Sequence, residues 1–127
     1  MNKVIRLLVG LFAVVFVFIG IRWIVDPAGA AGELGMPLLE GVGRSTQLGD
    51  STAFFLTVGI CMLVALITEK RTWFYPPIML LSITAVARIL AWLLHDATLA
   101  VNFIVLELLV AGLLWLASRR LAGQNQA

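Results

Sequence analysis

Residues 69–120 read EKRTWFYPPIMLLSITAVARILAWLLHDATLAVNFIVLELLVAGLLWLASRR. Three charged punctuation marks, Glu69-Lys70-Arg71, His95-Asp96 and Arg119-Arg120, enclose two apolar runs, Trp73–Leu94 and Ala97–Ser118. Each run is about 22 residues long. At about 1.5 Å of rise per residue it reaches roughly 33 Å, enough to cross a hydrocarbon core of about 30 Å. Lipid offers the backbone no hydrogen-bond partners, so such runs become helices. Pro76 and Pro77 fit the first turn of the third helix, where no backbone N–H is needed. Outward from this stretch lie two more runs, Gln47–Thr68 and Val4–Val25, the latter with an uncharged centre, Leu7–Ile21, between Arg6 and Arg22. The sequence therefore predicts an all-α fold, an integral membrane four-helix bundle. It forms a single transmembrane domain over residues 1–127, with spans at about 4–25, 47–68, 73–94 and 97–118.

Composition agrees. Of the 127 residues, 61% are hydrophobic and 13% charged, and the mean hydropathy is +1.04. A water-soluble domain carries about 25% charged residues, so a bilayer is the better solvent for this surface. Nine basic and seven acidic residues leave a formal charge of +2, too little for a nucleic-acid binder. One Cys closes no intrachain disulfide, and one Cys with one His builds no typical zinc site. No metal and no cofactor is expected.

The basic residues set an orientation. Lys3 and Arg6, Lys70 and Arg71, and Arg119 and Arg120 fall on one side of a four-span chain. By the positive-inside rule both termini are cytoplasmic, in the cytoplasmic (inner) membrane of a bacterium. Asp26, Glu33, Glu40, Asp50 and Asp96 gather on the other side. Trp23 and Trp92 near the outer helix ends, with Trp73 and Trp115 near the inner ones, read as aromatic belts. The start also resembles a secretory leader, ending in Ala28-Gly29-Ala30. Arg22, Trp23, Asp26 and Pro27 interrupt the approach to that site, so an uncleaved anchor is expected.

The one long connection is the Gly/Pro-rich periplasmic loop 26–44, which carries Pro27, Pro37 and five glycines among Leu34, Met36, Leu38 and Leu39. It reads either as an interfacial loop with its leucines in the headgroups, or as a lid over the outer mouth of the bundle. Residues Gly123–Ala127 are expected to fray. In the second helix Ser45, Gly49, Ala53, Thr57, Cys61 and Ala65 recur at every fourth position. Small residues let helices approach closely in lipid, so this ridge is expected to be the packing seam of a central helix. Cys61 is then a small seam residue without a base to activate it.

Three ionisable side chains lie within spans: Asp50, Arg88 and Glu107. A charge at mid-bilayer costs about 2.5–3.5 kcal/mol even on lenient scales, so such groups turn inward and pair. We expect a polar cluster in the outer half of the bundle, with Arg88 bridging Asp50 and Glu107 through its planar fork. Asn102, His95 and Gln47 extend it, and Arg44 and Arg22 cap it. The cluster reads equally as an ion pair that fixes helix register or as a pocket that handles a small molecule or protons. No phosphate loop and no nucleophilic triad is present. His95 reads as an interfacial side chain or loop cap.

Along Gly43-Arg44-Ser45-Thr46-Gln47-Leu48-Gly49-Asp50 and Ala53-Phe54-Phe55-Leu56, the chain resembles a family of small uncharacterised bacterial four-span proteins, loosely similar to the DoxX-like membrane proteins. The resemblance implies a four-helix bundle in the bacterial inner membrane. DoxX-like relatives include accessory subunits of quinone-linked oxidoreductases, but no quinone or metal motif matches here. Small multidrug exporters carry an acid in the first helix, and Leu7–Ile21 holds none; dual-topology proteins balance their Lys and Arg, and this chain does not.

The leading functional expectation is a non-enzymatic inner-membrane protein that binds a small or amphipathic molecule, or a partner subunit, at the buried polar site. Its expected partners are the lipid bilayer and either a partner subunit of a membrane complex or a second copy of itself, and no nucleic acid. The alternatives are a membrane enzyme, an isomerase or a redox-linked one, acting on a lipid-soluble substrate, or a small proton-coupled transporter. A cavity lined by Asp50, Arg88 and Glu107 favours a ligand or substrate; contact of all three without a void favours a structural or subunit role.

Overall fold

A computed structural model describes residues 1–122; the expectation for Gly123–Ala127 lies outside them. The order is α1 (Asn2–Val25), α2 (Pro27–Glu33), α3 (Gly41–Thr68), a 3-10 turn (Arg71–Phe74), α4 (Tyr75–Leu94) and α5 (Val101–Arg120). The described residues contain no strand. Four helices, with the 3-10 turn counted into α4, are long and apolar enough to cross a membrane.

The four run up and down in sequence order around a square. α1 packs most closely on α3 and α4 on α5, with thinner seams between α3 and α4 and between α1 and α5. The core runs along the axis through Val9, Ala13, Val58, Met62, Leu81, Val110 and Leu114. Outward faces carry exposed Leu7, Phe18, Met79, Ile83 and Leu109. A belt of that kind around all four helices is what hydrocarbon covers and water does not.

The boundaries differ from the apolar runs where Gly and Pro intervene. α3 starts at Gly41, six residues before Gln47, with Gly41 itself at φ 59°. Its first turns are polar, so hydropathy alone misses them. α5 starts at Val101 instead of Ala97, because Asp96 turns the chain at φ 56° and residues 97–100 lie outside any helix. The long connection is not all loop. Asp26 caps α2 by accepting from the Gly29 amide through Oδ1 (3.2 Å), and Pro27 occupies the first helical position. α2 then lays Ala30 and Ala31 over Trp23. Trp23 is thereby fully enclosed and is no member of an aromatic belt, whereas Trp73, Trp92 and Trp115 are exposed.

The small-residue ridge on α3 is not the seam. Ser45, Gly49, Ala53 and Thr57 are exposed, Cys61 is half-buried and only Ala65 is buried. At about 3.6 residues per turn, each step of four overshoots a full turn by roughly 40°. The row therefore winds round the helix and meets the packed face only at its end. The close approach lies elsewhere. A Cβ on Gly59 would stand 2.9 Å from the Ala13 carbonyl oxygen, and one on Gly20 would stand 2.8 Å from the Leu56 side chain. Two glycines, one from each helix, let α1 and α3 touch.

Candidate functional site

At the end opposite the chain's N-terminus the two helix pairs leave a cavity of about 460 Å³. All five helices contribute to it. Its body is apolar: Phe16 and Ile19 from α1, Phe54 and Phe55 from α3, Leu81 from α4, Phe103 and Leu106 from α5. Its polar lining is Glu33, Asp50, Ser51, Thr84, Arg88 and Glu107. Exposed Glu33, Asp50 and Leu106 mark the open rim.

The central polar contact joins α4 to α5. Arg88 lies seven residues before His95, and Glu107 seven after Ala100, so an antiparallel hairpin sets them at one depth. Arg88 Nε donates to both carboxylate oxygens of Glu107, at 3.1 and 3.2 Å. Glu107 is buried and Arg88 half-buried. The Arg88 guanidinium also lies 4.8 Å from the centre of the Phe103 ring, a cation–π contact that orients it. Its terminal NH2 groups make no hydrogen bond among the described residues. A single nitrogen is thus spent on the ion pair, and the rest of the fork remains available to the cavity.

Asp50 departs from expectation. It lines the same cavity but makes no ion pair with Arg88, so Arg88 holds one carboxylate and does not bridge two. The winding that carries the ridge outward also leaves Asp50 at the edge of the packed face, exposed at the rim.

Gln47, expected to extend the cluster, and Arg44, expected to cap it, both lie outside the cavity lining. Gln47 is buried, and its Oε1 accepts from the Leu39 amide (2.9 Å) while Nε2 donates to the Pro37 carbonyl (3.1 Å). Arg44 Nε donates to the Leu39 carbonyl at 2.7 Å. Both side chains fasten the segment before α3 because its backbone, outside any helix, lacks its own partners. His95 closes α4 and is exposed. Asn102, also exposed, lines a second hollow beside the α4–α5 turn, which Arg88 also lines.

Arg22, expected to cap the site, is outside the cavity lining and reaches it only through Glu33. It pairs with Glu33 of α2, and more loosely with Asp26 at 3.4 Å, so the helix over Trp23 is strapped to α1. In the sequence Glu33 counts only among the acids of the outer side, because α2 is hidden among glycines; Asp26-Pro27, an N-cap followed by proline, is the usable signal. The aromatic walls went unmarked as well, because phenylalanines in an apolar span carry no distinguishing pattern. No group of three or more His, Cys, Asp and Glu side chains that could hold a metal occurs among the described residues.

No family model, curated protein or solved structure matches the chain. The functional reading therefore stands on the cavity.

Proposed function

We propose that this is a multi-pass protein of the bacterial inner membrane, with both termini cytoplasmic, that binds a small amphipathic molecule in the cavity at its periplasmic end. A kinship with small four-span, loosely DoxX-like proteins belongs to the same proposal. One observation carries the binding reading. The walls enclose space on the scale of a ligand site, about 300–1,000 Å³, and they set a few polar groups into an apolar, aromatic surround. A purely structural ion pair needs no void beside it. Asp50 lines the void without pairing with Arg88, which favours an occupant over a subunit-packing role.

The test is native mass spectrometry of protein extracted in a mild detergent, beside a Leu106→Trp variant that fills the cavity from its rim. We expect a small molecule retained by the wild type and lost from the variant. Retention by neither, or by both equally, overturns the reading. Orientation is checked in a Cys61→Ala background with single cysteines at Glu40 and Lys70. An impermeant maleimide added to whole spheroplasts should label the first and spare the second.

A further inference from the structure

Which polar groups of the cavity are already committed decides the charge its occupant carries. Of the three carboxylates on the wall, Glu33 is held by Arg22 and Glu107 by Arg88. Asp50 has neither an ion pair nor a hydrogen bond among the described residues. With each pair neutral within itself, the lining keeps one unmatched negative charge.

The surroundings of that charge are aromatic. Asp50 and Phe54 are four residues apart on α3 and so share a face, one turn from each other. The Phe54 ring packs edge-on to Phe55 at 5.1 Å, and Phe55 stacks on Phe16 at 5.9 Å. Aromatic faces carry negative quadrupole density and attract organic cations, most strongly where water is scarce. An anion finds poorer terms. Among the described residues Arg88 carries the one guanidinium on the wall; its two NH2 groups can still donate to a guest, but its charge is matched by Glu107, so an anion reaching them meets that carboxylate at the same group.

We infer that the cavity takes a lipophilic organic cation, with its positive charge between Asp50 and Phe54 and its apolar groups in the body of the cavity. This rests on the ligand-binding reading above and adds the chemical class of the ligand.

Two probes of matched shape and opposite charge test it: tetraphenylphosphonium and tetraphenylborate. Each is measured by equilibrium dialysis against the full chain in phosphatidylcholine nanodiscs, with empty nanodiscs subtracted. The inference expects saturable uptake of the phosphonium, weakened about tenfold by Asp50→Asn. That variant breaks no contact that Asp50 makes, and Phe54→Leu gives a smaller loss by a second route. Tighter uptake of the borate, undiminished by Asp50→Asn, overturns the cation assignment and leaves the cavity reading standing. Saturable uptake of the phosphonium that Asp50→Asn does not change also overturns the assignment. Uptake of neither ion, together with no molecule retained in native mass spectrometry, overturns both. Uptake of neither ion while the wild type retains an uncharged molecule overturns the charge class alone.

Discussion

Removing the two halves of the Arg88–Glu107 pair, singly and together, measures what the pair contributes to the bundle. The substitutions are Arg88→Met, which keeps most of the side-chain length, and Glu107→Gln, which keeps the shape. At an effective dielectric of about 20, charges about 4 Å apart attract by about 4 kcal/mol. The side chain of Arg88 is 29% exposed against 11% for Glu107, so solvent trims that figure and desolvation offsets part of the rest. Arg88→Met leaves an enclosed carboxylate without its cation, at about 3 kcal/mol. Glu107→Gln still offers Nε an acceptor oxygen, and the guanidinium can turn to solvent, so it costs about 1–2 kcal/mol. In the double variant neither charge remains to be stranded. Its loss should fall about 2 kcal/mol short of the sum of the single losses. The assay is reversible unfolding in mixed micelles, followed by tryptophan fluorescence. Losses that add to within about 0.5 kcal/mol would mean the two groups do not stabilise each other, and the geometry at 3.1 Å would carry no energetic weight.

Four further substitutions probe the frame around the cavity. Gly59→Ala should destabilise by about 1–3 kcal/mol, because the new methyl meets the backbone of Ala13 and Val17, which cannot rotate away. Gly49→Ala has nothing within 4 Å and should be neutral or stabilising by up to about 1 kcal/mol. The reverse order in thermal melts would restore the 45–65 ridge as the seam. Gln47→Leu removes the partners of the Leu39 amide and the Pro37 carbonyl, so hydrogen exchange at Leu39 should quicken by at least about tenfold while α4 and α5 keep their protection; unchanged exchange would show that Arg44 alone fastens the segment. Pro27→Gly should loosen α2 and speed proteolysis after Arg22 or Glu33, without lowering the helicity of α4 and α5.

The long apolar helices are legible because charge punctuates them: Glu69-Lys70-Arg71 and Arg119-Arg120 stop α3 and α5 to within two residues. The Arg88–Glu107 pair was legible for a related reason, since a buried charge must be met and the hairpin places these two residues equally far from its turn. The start of α3 and the whole of α2 were hidden. Their residues are small, polar or glycine, and what holds them is capping by Asp26 and tertiary bonds from Gln47, neither of which leaves a hydropathy signal. The seam was misassigned for a geometric reason. A four-residue repeat is not a straight stripe on a helix, and the eye follows the repeat more readily than its winding. Asp50 went astray with it, placed in a three-way cluster when it stands alone at the rim.

At the bundle's N-terminal end each of two arginines is fastened to the closing turn of a different helix. Arg6 donates to the Leu66 carbonyl of α3 at 3.2 Å, and Arg71 to the Ser118 carbonyl of α5 at 3.2 Å. These carbonyls are the free, electronegative tails of their helices, where a cation is welcome. Basic side chains that the sequence reading uses for orientation thus rivet the base of the bundle. The assembly resembles tongs, riveted at its base and hollow at the far end, so the proposed binding of a guest would ask only the upper blades to flex.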